Sequence, residues 1–416
     1  MKKTIFTLSA IVALAFTGCM NDEAPPILQD TDNQVNSGDN TVSVSGMISE
    51  STTWTNNTIY VLNQKVVVSS GVVLTIQAGT IIKGTEGTGS LASALIVAKG
   101  GKLNATGTAT EPIIFTSIND NITVGQTSGT NLDETNSGLW GGLIVLGNAP
   151  CSFSGDVEVL QIEGIPADDT FGLYGGSDAA DDSGVYQYIS IRHGGALIGE
   201  GNEINGLTLG GVGSGTVIEN IEVVGNVDDG IEFFGGTVNA SNLLIWAQGD
   251  DALDIDQAYS GTINNAVVIL GANSDHAFEI DGPEGAATGS FTLNNVTIIG
   301  NSVTEDGEYA DYRSGAMGST ENIYAYGFKE TSDVELDNDG VATNYNNGLL
   351  TFGAWEIVLP SGVSDVASIF VNKASAVEVS GFGSTATAVT EGVNTVGATT
   401  SLLSWTYANS KAGLGF

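Results

Sequence analysis

Beyond Thr41 the apolar residues fall in short β-branched runs broken by Gly, Asn and Asp. Examples are Val66-Val67-Val68, Val72-Val73-Leu74-Thr75-Ile76, Thr80-Ile81-Ile82, Ala94-Leu95-Ile96-Val97 and Ile113-Ile114-Phe115. No stretch of convincing length carries a helical period, so strands are expected throughout. Later runs alternate strictly: Ile231 and Phe233, Leu253 and Ile255, and Phe278 and Ile280 enclose Glu232, Asp254 and Glu279. Period 2 turns the aliphatic and aromatic side chains inward and the carboxylates outward.

These runs repeat. Asn220, Asn242, Asn265 and Asn295 recur at intervals of 22, 23 and 30 residues, and each of the first three is followed by a second strand that opens on acidic residues. A period in the low twenties with two or three short strands per repeat suits one rung of a parallel β-helix, each strand pairing with its equivalent above and below. A sandwich of two sheets would leave the near-constant spacing unexplained. Asparagine at the recurring corner fits a left-handed backbone or a stacked amide ladder, and a structural role is expected for it. The order of GTIIKG, ALIVAKGGKLNATGT and EPIIFTS resembles the start of many secreted right-handed parallel β-helix proteins. That resemblance, together with the repeat, predicts an all-β chain whose residues 41–416 form one right-handed parallel β-helix. The stretch 305–332, rich in aromatics and out of period, is expected to leave the coil, and the segment from Ser404-Trp405-Thr406 onward to cap its last turn.

The amino terminus reads differently. Lys2 and Lys3 precede an apolar run from Ile5 to Phe16 that ends on Thr17-Gly18-Cys19. About a dozen apolar residues make a signal peptide and fall short of the roughly 20 needed to span a membrane. Gly18-Cys19 resembles the lipobox of bacterial lipoproteins, with Phe16 in place of the usual aliphatic residue. The resemblance implies cleavage after residue 18, acylation of Cys19 and a membrane anchor. Asn21-Asp22-Glu23 is similar to surface-export signals of Bacteroidetes lipoproteins, which implies display on the outer membrane. Residues 19–40, polar and acidic with two prolines, are expected to be a flexible tether. Cys151 is the only other cysteine, so no intrachain disulfide is expected once Cys19 is acylated.

Formal net charge is -37, and loss of Lys2 and Lys3 with the leader leaves 48 acidic against nine basic side chains. Such a field disfavours nucleic acid and anionic lipid as partners and leaves cations and glycans. Much of the charge concentrates on stacked second strands. Asp228, Asp229 and Glu232 lie on one rung, Asp250, Asp251, Asp254 and Asp256 on the next, and Asp275, Glu279 and Asp281 on a third. Rungs about 4.8 Å apart would crowd these carboxylates on one face, which makes them candidate calcium ligands. The competing view has them capping turns and facing water.

The run Val227-Asp228-Asp229-Gly230, Gly249-Asp250-Asp251, Asp275-His276-Ala277 and Tyr312-Arg313-Ser314 is also similar to the rung motifs of polygalacturonase-type glycoside hydrolases. That resemblance implies Asp250 as general acid, Asp229 and Asp251 as activators of water, His276 in support and Arg313 holding an acidic sugar. It departs from the pattern in lacking Asn-Thr before Asp229, glycines around His276 and a lysine after Arg313. The leading expectation is therefore a surface-anchored binding or adhesion module for a glycan, calcium or both. The alternative is an inverting hydrolase of acidic polysaccharide.

Overall fold

The computed structural model describes residues 40–166, 169–198, 203–304 and 307–416. The expected leader, Cys19 and all but the last residue of the tether lie outside these ranges. From Asn40 onward the chain winds as a right-handed parallel β-helix with three stacked parallel sheets. Long strands such as Val217–Val224, Asn239–Trp246, Thr262–Ile269 and Phe291–Ile299 run through two of the sheets and bend between them. Short strands form the third: Leu207–Gly210, Ile231–Phe234, Leu253–Asp256, Phe278–Ile280, Ala310–Tyr312 and Val334–Leu336.

The bend is made by the asparagines. Asn220, Asn242, Asn265 and Asn295 all take positive φ, between 57° and 65°, as does Asn322 one rung further on. The corner amides also bond from rung to rung: Asn265 Nδ2 donates to Asn242 Oδ1 at 2.8 Å, while Asn295 and Asn322 donate to Asn264 and Asn294, the residues just before the corner below. Both expected roles are therefore filled at once, the left-handed backbone and the stacked amide. Tyr188 occupies the same corner one rung below Asn220, with φ of 52°.

Inside, the predicted aliphatic positions stack in register: Ile231 on Leu253 on Phe278, and Phe233 on Ile255 on Ile280. All six are 0–1% exposed. Burial of each such side chain is worth about 1.5–3 kcal/mol, so the stacked rungs carry the stability of the described residues, among which Cys151 is a free thiol. Trp140 and Trp355 are fully buried in this interior.

Two expectations about the end of the chain are corrected. The described part of the stretch 305–332 stays in the coil. Ala310–Tyr312 pairs with Phe278–Ile280 below and Val334–Leu336 above, and Gly318–Tyr326 pairs in full register with Phe291–Ile299. The period breaks because the turn after Ile299 is longer than its predecessors. The aromatics there serve the core, with Tyr309 and Tyr312 fully buried and Tyr309 stacked on Phe328 at 3.7 Å. Nor does the carboxyl terminus cap the last turn. After Ala386–Ala388 on the final rung, it descends along the outside of the helix as a strap, touching Glu356, Thr297, Asn265 and Glu222 in turn.

Candidate functional site

Register decides which carboxylates meet. In the third sheet Thr208, Glu232, Asp254, Glu279, Asp311 and Glu335 pair rung by rung in one outward column. Five successive rungs thus carry an acid at the same position. The turns entering these strands add a second line, with Asp229 beneath Asp251 and Asp251 beneath His276. Asp229 Oδ1 accepts from the Asp251 N–H at 3.0 Å, and Asp251 Oδ1 accepts from the His276 N–H at 2.9 Å.

The two lines enclose a cavity of about 180 Å³ whose lining is wholly acidic. Of the predicted residues, Asp228, Asp229, Glu232, Asp250, Asp251, Asp254 and Glu279 line it; Glu163 and Glu203 from the loops beside it complete the wall. Carboxylate oxygens of Asp228, Asp229 and Asp250 lie within 4.8 Å of one another, as do those of Asp229, Glu232 and Asp254. Asp256 pairs with Phe234 in the next outward column, and Asp281, just past the end of the following strand, meets Arg313 at 2.9 Å. Asp275 sits at the turn beside His276, 3.7 Å from its Nδ1.

Crowding, with full burial of Asp229 and Glu232 and partial burial of the others, holds these groups towards their neutral forms. Burial, then the charge of Glu163 and Asp250, pushes Asp228 up to about 7. Burial and Asp251 raise Asp250 to about 6 and hold Asp229 well above the carboxylate range. Burial followed by neighbouring acids likewise raises Glu232 and Asp254 well above it. Glu279 is pushed up to about 9, by burial and then Asp251, despite the adjacent Arg313.

The chain supplies its own cations to only part of this face. Burial opposes charge on His276, but its hydrogen bond to Asp251, 2.9 Å from Nδ1 to Oδ1, and the Asp251 charge raise it to about 9. Arg313 forms ion pairs with Glu279 and Asp281, and Lys373 with Glu335 and Asp333. Among the described residues, no lysine or arginine forms an ion pair with Asp228, Asp229, Glu232, Asp250 or Asp254. Asp254 Oδ1 is buried there without a hydrogen-bond partner. The donor set left over is all oxygen, the chemistry of a hard cation such as calcium rather than of zinc.

Sequence reasoning missed Glu163, Glu203, Glu308, Asp311, Asp333 and Glu335. Asp311, Asp333 and Glu335 could have been found by carrying the alternation past residue 305, whereas Glu308 lies in the turn bridged to His276 and Glu163 and Glu203 sit in loops with no periodic signal. Of the residues that the hydrolase resemblance marks, Asp229, Asp250 and Asp251 do meet. His276 is engaged by Asp251, and Arg313 is committed to two carboxylates.

Residues 46–409 match the family model described as "Pectate-lyase like beta helix domain". Among solved structures, the chain is similar to the crystal structure of a pectin methylesterase from Aspergillus niger. The two share 13% identity over 89% of this chain and 95% of that one, with a TM-score of 0.30. No curated protein matches the sequence significantly.

Proposed function

From the premise that this chain belongs to the family of pectate-lyase-like β-helix domains, we propose that it is a surface-anchored binding module that takes up calcium in its acidic cavity and holds a glycan through it. The observation that carries this reading is a cavity lined by nine carboxylates and nothing else. Calcium takes six to eight oxygens at roughly 2.3–2.6 Å, a demand that Asp228, Asp229, Glu232, Asp250 and Asp254 meet with water or sugar hydroxyls in the remaining places.

Hydrolysis fits less well. The nearest oxygens of Asp228, Asp229 and Asp250 are within 4.8 Å of one another, whereas an inverting pair stands about 6.5–9.5 Å apart to admit water. An acidic sugar entering this wall unaided would meet repulsion, and Arg313 is already engaged. One feature favours an enzyme, the His276–Asp251 pair beside Asp250, since a buried imidazolium can support a neighbouring acid. A panel of acidic and neutral polysaccharides, assayed for retention and for new reducing ends with and without calcium, separates the two. Calcium-dependent retention without turnover is expected. Soluble product that disappears in Asp250→Asn would establish the hydrolase instead.

We further propose that Cys19 carries the lipid anchor that displays the domain on the outer membrane, as its lipobox-like context supports. Cys19→Ala should move the protein from the membrane fraction to the soluble one. Persistence on membranes after a high-salt wash would rule the anchor out.

A further inference from the structure

His276 is one of two histidines in the chain. The other, His193, is buried and turned to a main-chain carbonyl, with Nδ1 2.8 Å from Asn136 O. His276 instead sits among acids, where the turn 270–277 enters the strand Phe278–Ile280. Its Nδ1 lies 2.9 Å from Asp251 Oδ1, and ligating atoms of Asp251, His276 and Glu279 all stand within 4.8 Å of one another. The backbone fixes each of the three. Asp251 takes the His276 N–H as well as its ring, His276 is bridged to Glu308 on the rung above, and Glu279 is held between Asp254 and Asp311 in the outward column.

The donor set differs from that of the all-carboxylate cavity beside it. Two carboxylates face one imidazole, for the Glu279 carboxyl comes within hydrogen-bonding reach of the Asp251 carboxyl, and Arg313 meets Glu279 through Oε1. One ring nitrogen with two carboxylate oxygens suits a zinc-class ion, which binds such atoms at about 2.0–2.2 Å and leaves a fourth place to water. Ligand atoms around a tetrahedral ion of that size stand about 3.4 Å apart, between the 2.9 Å and 4.8 Å that bound the present separations. A second observation points the same way. Asp311 is 8% exposed, stands one rung above Glu279 and faces His276, yet its Oδ1 is buried without a hydrogen-bond partner. A histidine that ligates through one nitrogen donates the N–H of the other, most often to a carboxylate, and Asp311 is the free acid in place to receive it.

We propose that Asp251, His276 and Glu279 form a site for a zinc-class divalent cation, with Asp311 orienting the imidazole. The entering ion takes the place of the proton that joins His276 Nδ1 to Asp251 Oδ1, which leaves to solvent; no bond within the chain breaks and no electron moves. Bound there, the ion ties the turn of one rung to the turn and strand of the next. Asp251 and Glu279 also line the acidic cavity, but the five carboxylates assigned to calcium above are others, so the two sites can be tested apart.

The test titrates zinc into the full mature chain in calcium-free buffer, with cobalt(II) absorption as a report on nitrogen coordination and calcium uptake measured separately. Wild type should take up one zinc at this site. His276→Gln and Glu279→Gln, each close in shape to the side chain it replaces, should weaken zinc by at least about tenfold, the smallest cost expected even for an outer partner, and should remove the cobalt band. Asp228→Asn, which alters only the cavity, should leave zinc unchanged and weaken calcium. No zinc uptake by wild type, equal uptake by His276→Gln, or a loss in Asp228→Asn as large as in His276→Gln would overturn the site. The calcium reading stands or falls on its own titration.

Discussion

Deleting residues 395–416 is expected to destabilise the protein by on the order of 5 kcal/mol and to expose an apolar strip that binds a hydrophobic dye. The strap lies along one outward column of the coil, in which Glu356, Tyr324, Thr297, Val267, Leu244, Glu222 and Ser190 pair rung on rung. Leu403, Tyr407 and Ala408 close over Val224, Leu244, Trp246 and Val267 as a cluster separate from the interior. Fully burying side chains of the size of Leu403 is worth about 1.5–3 kcal/mol each. Glu222, 0% exposed, accepts from the N–H groups of Tyr407 and Ala408 at 3.1 and 2.7 Å. Loss of those donors adds a buried, under-satisfied carboxylate. The Arg192 guanidinium, stacked 4.3 Å from the Tyr407 ring centroid, loses its cover as well. Denaturant midpoints of the deletion and of Tyr407→Ala measure the effect, with about 3 kcal/mol expected for the point variant. Midpoints unchanged from wild type in both would mean that the strap merely rests on the coil.

Nothing in the sequence announces that strap, because its contacts with Thr297, Asn265 and Glu222 join residues 101 to 186 positions apart and its short helix, Tyr407–Ala412, has no pronounced apolar face. The rungs were legible for the opposite reason. Each strand's alternation is local, and the asparagine at the corner is selected by a backbone angle that few other residues tolerate. Asn220 to Asn295 therefore gave away the coil, while Tyr188, in the same corner with a side chain ill suited to it, makes the earlier rung at Tyr186 to Ile191 read as a less regular copy of the others. The stretch around Tyr309 and Tyr312 was misjudged because its lengthened turn shifted the asparagine spacing although the inward alternation continued unbroken. The acidic face was legible as far as the period was followed. Its closure by Glu163 and Glu203, and its partial neutralisation by Arg313 and Lys373, depend on loops and on register across rungs that only the folded chain brings together.

In chelator the protein is expected to lose stability steadily between about pH 4 and pH 8. The acids of the cavity and of the column beside it have folded pKa values raised above those of the unfolded chain, Asp250 to about 6 and Asp228 and the neighbouring Asp256 to about 7, so the folded state binds more protons throughout that window. Their contribution is complete below the unfolded value near 4 and disappears as pH rises through the folded values. His276, raised to about 9, acts in the same direction at the alkaline end. Carboxylates held low, such as Glu356 with its bonds to Thr395, titrate below this range. Each unit of displacement is worth about 1.4 kcal/mol. Because neighbouring acids share protons and partial exposure screens some of them, the whole effect is expected to be a few kcal/mol.

Calcium should take the place of those protons, and thermal or denaturant unfolding at pH 8 with calcium, with sodium at matched ionic strength, and with chelator reads this directly. Calcium at 100 times its dissociation constant should add about 2.7 kcal/mol over the sodium control and flatten the pH dependence. Glu232→Gln combined with Asp254→Asn should be more stable than wild type in chelator at pH 8, since two groups that must be buried charged or take up a proton on folding are gone, and should lose most of the calcium gain. If calcium stabilises wild type no more than sodium does, or if the double variant gains as much as wild type, the acidic cavity is not a cation site and the proposed function falls with it.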